Sequence, residues 1–335
     1  MTKKFLCLFL ALACVLSLGL AGCAKPDNTP ESTQGTTAAP TTEPTTEPTT
    51  VPPTEPPAPE FDPLGNKTWE EDGVLKILTI GNSFSNDCMA YVYDIAYAAG
   101  AKEVYLGNLY IGSCTVEKHL TNAKEDNAAY TYYTNEVGAF ESVSKHKMSD
   151  AIKSQNWDFI SIQQNCKNSG RADQYAPLEE LVEIVASQCT NPKVEIVWHM
   201  TWAAQNDYTG DLFSYYQMDQ ETMYNSIVNA VKKKVFPIEK ITRVIPNGTV
   251  MQNIRSSYWG DTITRDGIHL SLPHGRILGG ITIVAATMGI DFDTIDLSDV
   301  HSIMSEDEKF VQVALESVKN AMENPYQITQ SKITE

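Results

Sequence analysis

Residues 74–80 read Val-Leu-Lys-Ile-Leu-Thr-Ile, a mostly apolar, branched run suited to a strand buried on both faces of a parallel sheet. Gly81 ends the run. From about Asp87 onward Met89, Tyr93, Ile95, Ala96 and Ala99 recur at roughly helical spacing, so strand gives way to helix within a few residues. Further short apolar runs at 102–108, 157–162, 194–200 and 242–245 predict four more strands. Segments 149–154, 175–187, 217–235, 273–288 and 307–322 predict helices. Strands alternating with helices imply an α/β fold, a parallel sheet covered on both faces. The interval 111–147 shows no clear strand and holds Tyr130, Tyr132 and Tyr133; it is expected to be an insertion over the edge where ligands bind.

The first 60 residues follow neither period. Residues 1–22 carry Lys3 and Lys4, an apolar run from Phe5 to Leu20 and small residues before Cys23, the pattern of a signal peptide rather than a membrane span. Leu20-Ala21-Gly22-Cys23 resembles the lipobox of bacterial lipoproteins, which implies cleavage before Cys23 and lipidation of that residue. Residues 24–60 hold ten of the chain's 17 prolines and three successive Thr-Thr-x-Pro units. Such a stretch cannot bury enough apolar surface to offset its ordering entropy, so residues 23–61 are expected to be a disordered tether. At ~3.1 Å per residue it would reach at most about 115 Å. Residues 62–335 then suit one α/β domain, held extracytoplasmically at the cell surface by membrane lipid through Cys23.

Charge and cysteine usage narrow the function. A net charge of −17, falling to −19 once Lys3 and Lys4 are removed, disfavours nucleic acid and extended adhesion to anionic lipid. Cys88, Cys114, Cys166 and Cys189 show no Cys-x-x-Cys pairing, which argues against zinc; whether they form disulfides is left open.

The predicted strands end in polar or glycine clusters: Gly81-Asn82-Ser83, Gly112-Ser113-Cys114, Gln163-Gln164-Asn165, and His199 with Thr201 and Trp202. Strands of a parallel sheet end on one edge, so these clusters should converge there. Ser83 sits in a strand-to-helix turn, where nucleophilic serines often stand; equally, Ser83 or Ser85 could simply cap the helix. Downstream, Asp266 and His269 in Arg-Asp-Gly-Ile-His allow a carboxylate to orient an imidazole within one loop.

These residues, in this order, resemble the SGNH, or GDSL-like, hydrolases. The first motif of that family is matched by Gly81-Asn82-Ser83, with Asn82 where Asp is usual, and the last by Asp266 and His269. Gly112 fits the second. The third, normally Gly-x-Asn-Asp, is not met, since the corresponding strand ends in Gln163-Gln164-Asn165. The resemblance implies a flavodoxin-like three-layer α/β/α sandwich with a central parallel sheet of about five strands. It also implies a serine esterase in which Ser83 attacks, His269 takes its proton and Asp266 holds the imidazole. Oxyanion donors would be the N–H groups of Ser83 and Gly112 and the side chain of Gln164, with no metal or cofactor.

Other candidates have two readings each. His199, Trp202 and Asn82 could touch substrate, the indole faces of Trp198 and Trp202 suiting sugar rings, or could be packed structural groups. Tyr130 to Tyr133 could line a cleft or pack in the core. His274 suits a helix start better than a metal site, and Arg255, Arg265 and Arg276 are by default ion-paired. The leading expectation is hydrolysis of short acyl esters, above all acetyl, on carbohydrate. The rivals are a lipid-ester or thioester hydrolase of the same fold and a catalytically degenerate, tethered glycan-binding module.

Overall fold

A computed structural model describes residues 72–335. The expected signal peptide over 1–22, Cys23 and the expected tether over 23–61 lie outside the described residues.

The first apolar run is strand β1 (Val74–Gly81), and it lies at the centre of the sheet. In chain order follow β2 (Glu103–Tyr110), β3 (Tyr130–Asn135), β4 (Glu141–His146), β5 (Phe159–Gln163), β6 (Glu195–His199) and β7 (Ile241–Ile245). The spatial order is β4-β3-β2-β1-β5-β6-β7. β2, β1, β5, β6 and β7 are mutually parallel, a flavodoxin-like order, and carry the expected five-stranded core. Leu75, Ile77, Leu78, Ile80, Phe159, Ile160 and Ile162 are buried, so the central strands are covered on both faces, as their mostly apolar runs require.

The interval 111–147 departs from expectation. It holds a helix, Val116–Lys124, and the hairpin β3–β4, which adds two antiparallel strands to the β2 edge. β3 alternates buried Tyr130 and Tyr132 with outward Thr131 and Tyr133, while β4 is an edge strand exposed along most of its length. An edge strand solvated on both faces needs no apolar alternation, so its sequence reads as loop.

Two helical layers cover the sheet. One contains Ser83–Met89, Val92–Ala98, Asn247–Arg255, His274–Thr287 and Glu308–Glu323; the other contains Val116–Lys124, Met148–Lys153, Leu178–Gln188 and Gln220–Lys234. The helix after β1 therefore starts at Ser83, earlier than the spacing predicts, and the segment splits into two short helices. His274–Thr287 is buried along almost its whole length and supports them from behind. A Cβ on Gly279 would stand 2.8 Å from Cys88 Sγ, so glycine there permits the close approach that seats the Ser83 helix. Cys88, Cys114, Cys166 and Cys189 are all free thiols.

Candidate active site

Ser83 is the first residue of its helix, directly past the carboxyl end of the central strand. The turn is tight: a Cβ on Gly81 would come within 2.6 Å of Ser85 Oγ. Asn82 is the helix cap. Its Oδ1 accepts from Phe84 N at 3.1 Å and from Gln163 Nε2 at 2.9 Å, and its Nδ2 donates to Cys114 O at 3.2 Å. One buried side chain thus ties together the ends of β1 and β5 and the turn after β2. An aspartate at this position would have no N–H for the Cys114 carbonyl, which accounts for the departure from the usual motif. Ser85 faces inward, its one hydroxyl proton shared between Asn82 O at 2.8 Å and Asn108 Oδ1 at 2.9 Å, and is fully buried. Neither serine is the cap, and of the two only Ser83 lines a cleft.

Ser83 Oγ lies 2.9 Å from His269 Nε2, and His269 Nδ1 lies 2.7 Å from Asp266 Oδ2. The second carboxylate oxygen accepts from the backbone N–H groups of His269 at 2.8 Å and Ile268 at 3.2 Å. Partial burial raises the Asp266 pKa, but the hydrogen bonds from the His269 backbone and side chain and from Ile268 outweigh it, and the net displacement is downward. Asp266 is thereby held as a carboxylate that fixes an Nδ1–H tautomer and leaves Nε2 to accept from Ser83.

Two supports behind this array are not evident in the sequence. Asp87, 1% exposed, takes both Arg265 (Nη1 to Oδ2, 2.9 Å) and Arg276 (Nη2 to Oδ1, 2.8 Å), and accepts from Leu270 N at 3.1 Å. It locks the loop carrying Asp266 and His269 onto the helix carrying Ser83. Its signal in the sequence is a carboxylate four residues after Ser83 on the apolar side of the helix, where a charge requires a partner. The second support is a stacked pair, Phe84 on Trp202, with centroids 4.1 Å apart and planes 7° from parallel. Phe84 meets His269 edge-on at 5.8 Å, and Trp202 Nε1 donates to Ile268 O at 2.7 Å.

Trp202 and His199 are therefore not available to a sugar: both are 0% exposed. His199 Nε2 meets Asn247 Nδ2 at 2.9 Å, and burial pulls its pKa down to about 3, so it is a neutral packed group. Trp198 is equally buried against Tyr175. Tyr130 and Tyr132 are core residues, Tyr130 hydroxyl lying 3.0 Å from His119 Nδ1. His274 opens its helix packed between Trp259 and Phe310. Arg255 is paired with Asp261 at 2.7 Å.

A cleft of about 250 Å³ opens at Ser83 and His269, walled by Phe84, Leu212 and Ile268 and by Ser113, Asn165 and Lys167. The turn after β2 reaches it through Ser113, whose φ is 54°, rather than through Gly112. Gln164 is turned away: its Oε1 accepts from Val116 N and Asn165 N, and its Nε2 donates to Gln174 O. Asn165 lines the cleft instead, with Nδ2 donating to Ser113 O at 3.0 Å. Gln163 and Gln164 knit the strand ends together before the chain emerges there. Cys166, also lining the cleft, is no rival nucleophile, since burial, helped by the Asp266 charge, pushes its thiol up to about 12. Among the described residues no cluster of three or more His, Cys, Asp or Glu side chains is placed to hold a metal ion.

A flavodoxin-like sheet with a serine at the end of its first strand, facing an Asp-x-x-His loop, defines an SGNH-like hydrolase fold. Residues 76–302 match the family described as "Domain of unknown function (DUF4886)", and the chain belongs to that family. A DUF4886 family protein from Bacteroides uniformis ATCC 8492 is similar at 32% identity and a TM-score of 0.72, over 77% of this chain and 98% of that one. Weaker likenesses are a putative SGNH hydrolase from Slackia heliotrinireducens (16% identity, TM-score 0.40, 64% of this chain and 100% of that one) and a catalytic mutant of an acetylxylan esterase from Geobacillus stearothermophilus (14%, 0.42, 65% and 95%). No curated protein matches the chain.

Proposed function

We propose that this protein is a serine ester hydrolase that removes short acyl groups, most simply acetyl, from carbohydrate at the cell surface, tethered by a lipid on Cys23. The observation that carries the reading is the continuous chain Ser83 Oγ to His269 to Asp266, with separations of 2.9 and 2.7 Å, at the mouth of a cleft. In the reaction, His269 Nε2 takes the Ser83 proton as Oγ attacks the ester carbonyl. The oxyanion is met by the Ser83 N–H, free as the first N–H of a helix, by the turn carrying Gly112 and Ser113, and by the second hydrogen of Asn165 Nδ2. His269 then protonates the departing alcohol, and water, activated by the same imidazole, releases the acid.

The cleft's lining supports a small acyl group on a hydroxylated alcohol. Phe84, Leu212 and Ile268 offer an apolar wall of limited extent, and Ser113, Asn165 and Lys167 offer hydrogen-bonding groups opposite. An intact hydrogen-bonded array favours catalysis over a degenerate binding module. The test has two parts. Fluorophosphonate should label wild type at Ser83 and leave Ser83→Ala unlabelled. In kcat/KM, acetylated xylan and p-nitrophenyl acetate should then exceed p-nitrophenyl esters of about eight carbons or more. Preference for the long esters, with no acetate released from any acetylated glycan, would replace this reading with the lipid-ester one. Release of the domain from the membrane fraction by Cys23→Ala tests the anchor.

A further inference from the structure

The solvent-facing stripe of the Ser83 helix leads away from the cleft. Ser83, Asn86, Ala90 and Tyr91 are the part-exposed positions in a run whose other residues are buried. Ser83 lines the cleft already described, while Asn86, Ala90 and Tyr91 line a second pocket of about 340 Å³, completed by Tyr133, Phe140 and Arg276. Residues three apart on a helix are neighbours, separated by about 4.5 Å along the axis, so the second pocket begins one turn from the nucleophile. Behind Tyr133, the Tyr110 ring meets it edge-on at 6.0 Å.

We propose that this second pocket is a saccharide subsite, holding a sugar unit next to the one whose ester is presented to Ser83; the proposal rests on the carbohydrate-ester reading above. Its chemistry fits that occupant. Tyr91, Tyr133 and Phe140 bring aromatic rings to one surface, and Phe140 is 37% exposed. Flat aromatic faces match the C–H faces of a pyranose. Asn86 supplies an amide, and Arg276, anchored on Asp87 yet with a side chain 30% exposed, supplies a guanidinium edge for hydroxyl groups. A polymer whose acyl group reaches Ser83 has to lie across the adjoining surface, and this pocket is where the helix leads. The aromatic role expected for Trp198 and Trp202 passes to residues on the added hairpin and the helix end.

The test compares wild type, Tyr133→Ala, Phe140→Ala and Tyr133→Trp on acetylated xylan fragments, acetylated glucomannan fragments, p-nitrophenyl acetate and p-nitrophenyl octanoate. In each alanine variant the ratio of kcat/KM on the better glycan to that on p-nitrophenyl acetate should fall about three- to tenfold, through KM, while Tyr133→Trp restores it. Phe140 is exposed enough that its variant folds even if Tyr133→Ala does not. An unchanged ratio in a wild type that deacetylates glycans overturns the subsite and leaves the esterase reading standing. A wild type that hydrolyses p-nitrophenyl acetate but neither glycan overturns both. Loss confined to the octanoate ester makes the pocket an acyl-chain groove and also overturns the proposal.

Discussion

Two histidines near the carboxyl edge of the sheet show how burial separates function from packing. His269 sits on a loop, its side chain 23% exposed, with Asp266 on one ring nitrogen and Ser83 on the other. His199 ends β6, fully buried, with Asn247 at Nε2 and its pKa drawn down to about 3 by desolvation. His199 follows Trp198 at a strand end, whereas His269 stands three residues after Asp266 in one loop. The difference lies in what surrounds each ring. A proton-transferring imidazole needs a carboxylate to stabilise its charged form and access to substrate; an imidazole sealed in a core is kept neutral.

The comparison breaks most readily at the array itself. Ser83→Ala and His269→Ala should each lower kcat/KM on p-nitrophenyl acetate by more than about a thousandfold with little change in melting temperature. His199→Gln should lower the melting temperature and leave kcat/KM within a few-fold. Comparable activity loss in His199→Gln and His269→Ala, with both folded, would end the distinction.

Asp87→Ala comes next, because it strands two arginines. It should cost about 3–5 kcal/mol of stability, read by denaturant unfolding, and the folded fraction should lose kcat more than it gains KM. Smaller again is the oxyanion pair. Asn165→Ala should lower kcat by about a hundredfold, near 3 kcal/mol, whereas Gln164→Ala should act on stability; the reverse result would restore Gln164 to the site.

A further break is a pH slope. His119 and His199 both have folded pKa values near 3, lowered by burial. The unfolded chain binds protons at these positions near the ordinary value of about 6.5, so the unfolded state gains protons the folded state refuses. Their contribution is fully present above about pH 6.5 and is lost progressively down to about pH 3, at up to about 1.4 kcal/mol per pH unit for each histidine. Unfolding curves for wild type and His199→Gln across that range should converge as pH falls. Parallel curves would mean that His199 takes up its proton in the folded state.

How much was legible follows from which property each feature depends on. β1 was readable because a doubly buried strand is mostly apolar, and the Asp266–His269 pair because both partners lie in one loop. β4 was not, since a solvated edge has no apolar period, and β3 was not, since its inward positions are tyrosines flanked by polar residues. The helix Asn247–Arg255 was missed for the opposite reason: Asn247, Thr249, Gln252 and Asn253 are polar yet buried, their bonds made to distant groups such as Ser317 O. Which residue of the third cluster faces the cleft was not legible because Gln163, Gln164 and Asn165 are chemically alike, and only the hydrogen bonds of each say which way it faces.

What the sequence determined by itself was the order of the five core strands, the parallel core, the strand-to-helix turn holding Ser83, and the loop that couples Asp266 to His269. These depend on periodicity and on partners a few residues apart. The tertiary structure alone decided that Ser83 and His269 meet, that Asp87 clamps the loop between them, and that Trp202 supports Phe84 instead of facing solvent. It also decided that Tyr133 and Phe140 come to lie beside the helix that begins at Ser83. Such pairings join residues far apart in the chain, and whether a side chain is sealed or exposed is set by the layers packed over it, which local pattern does not encode.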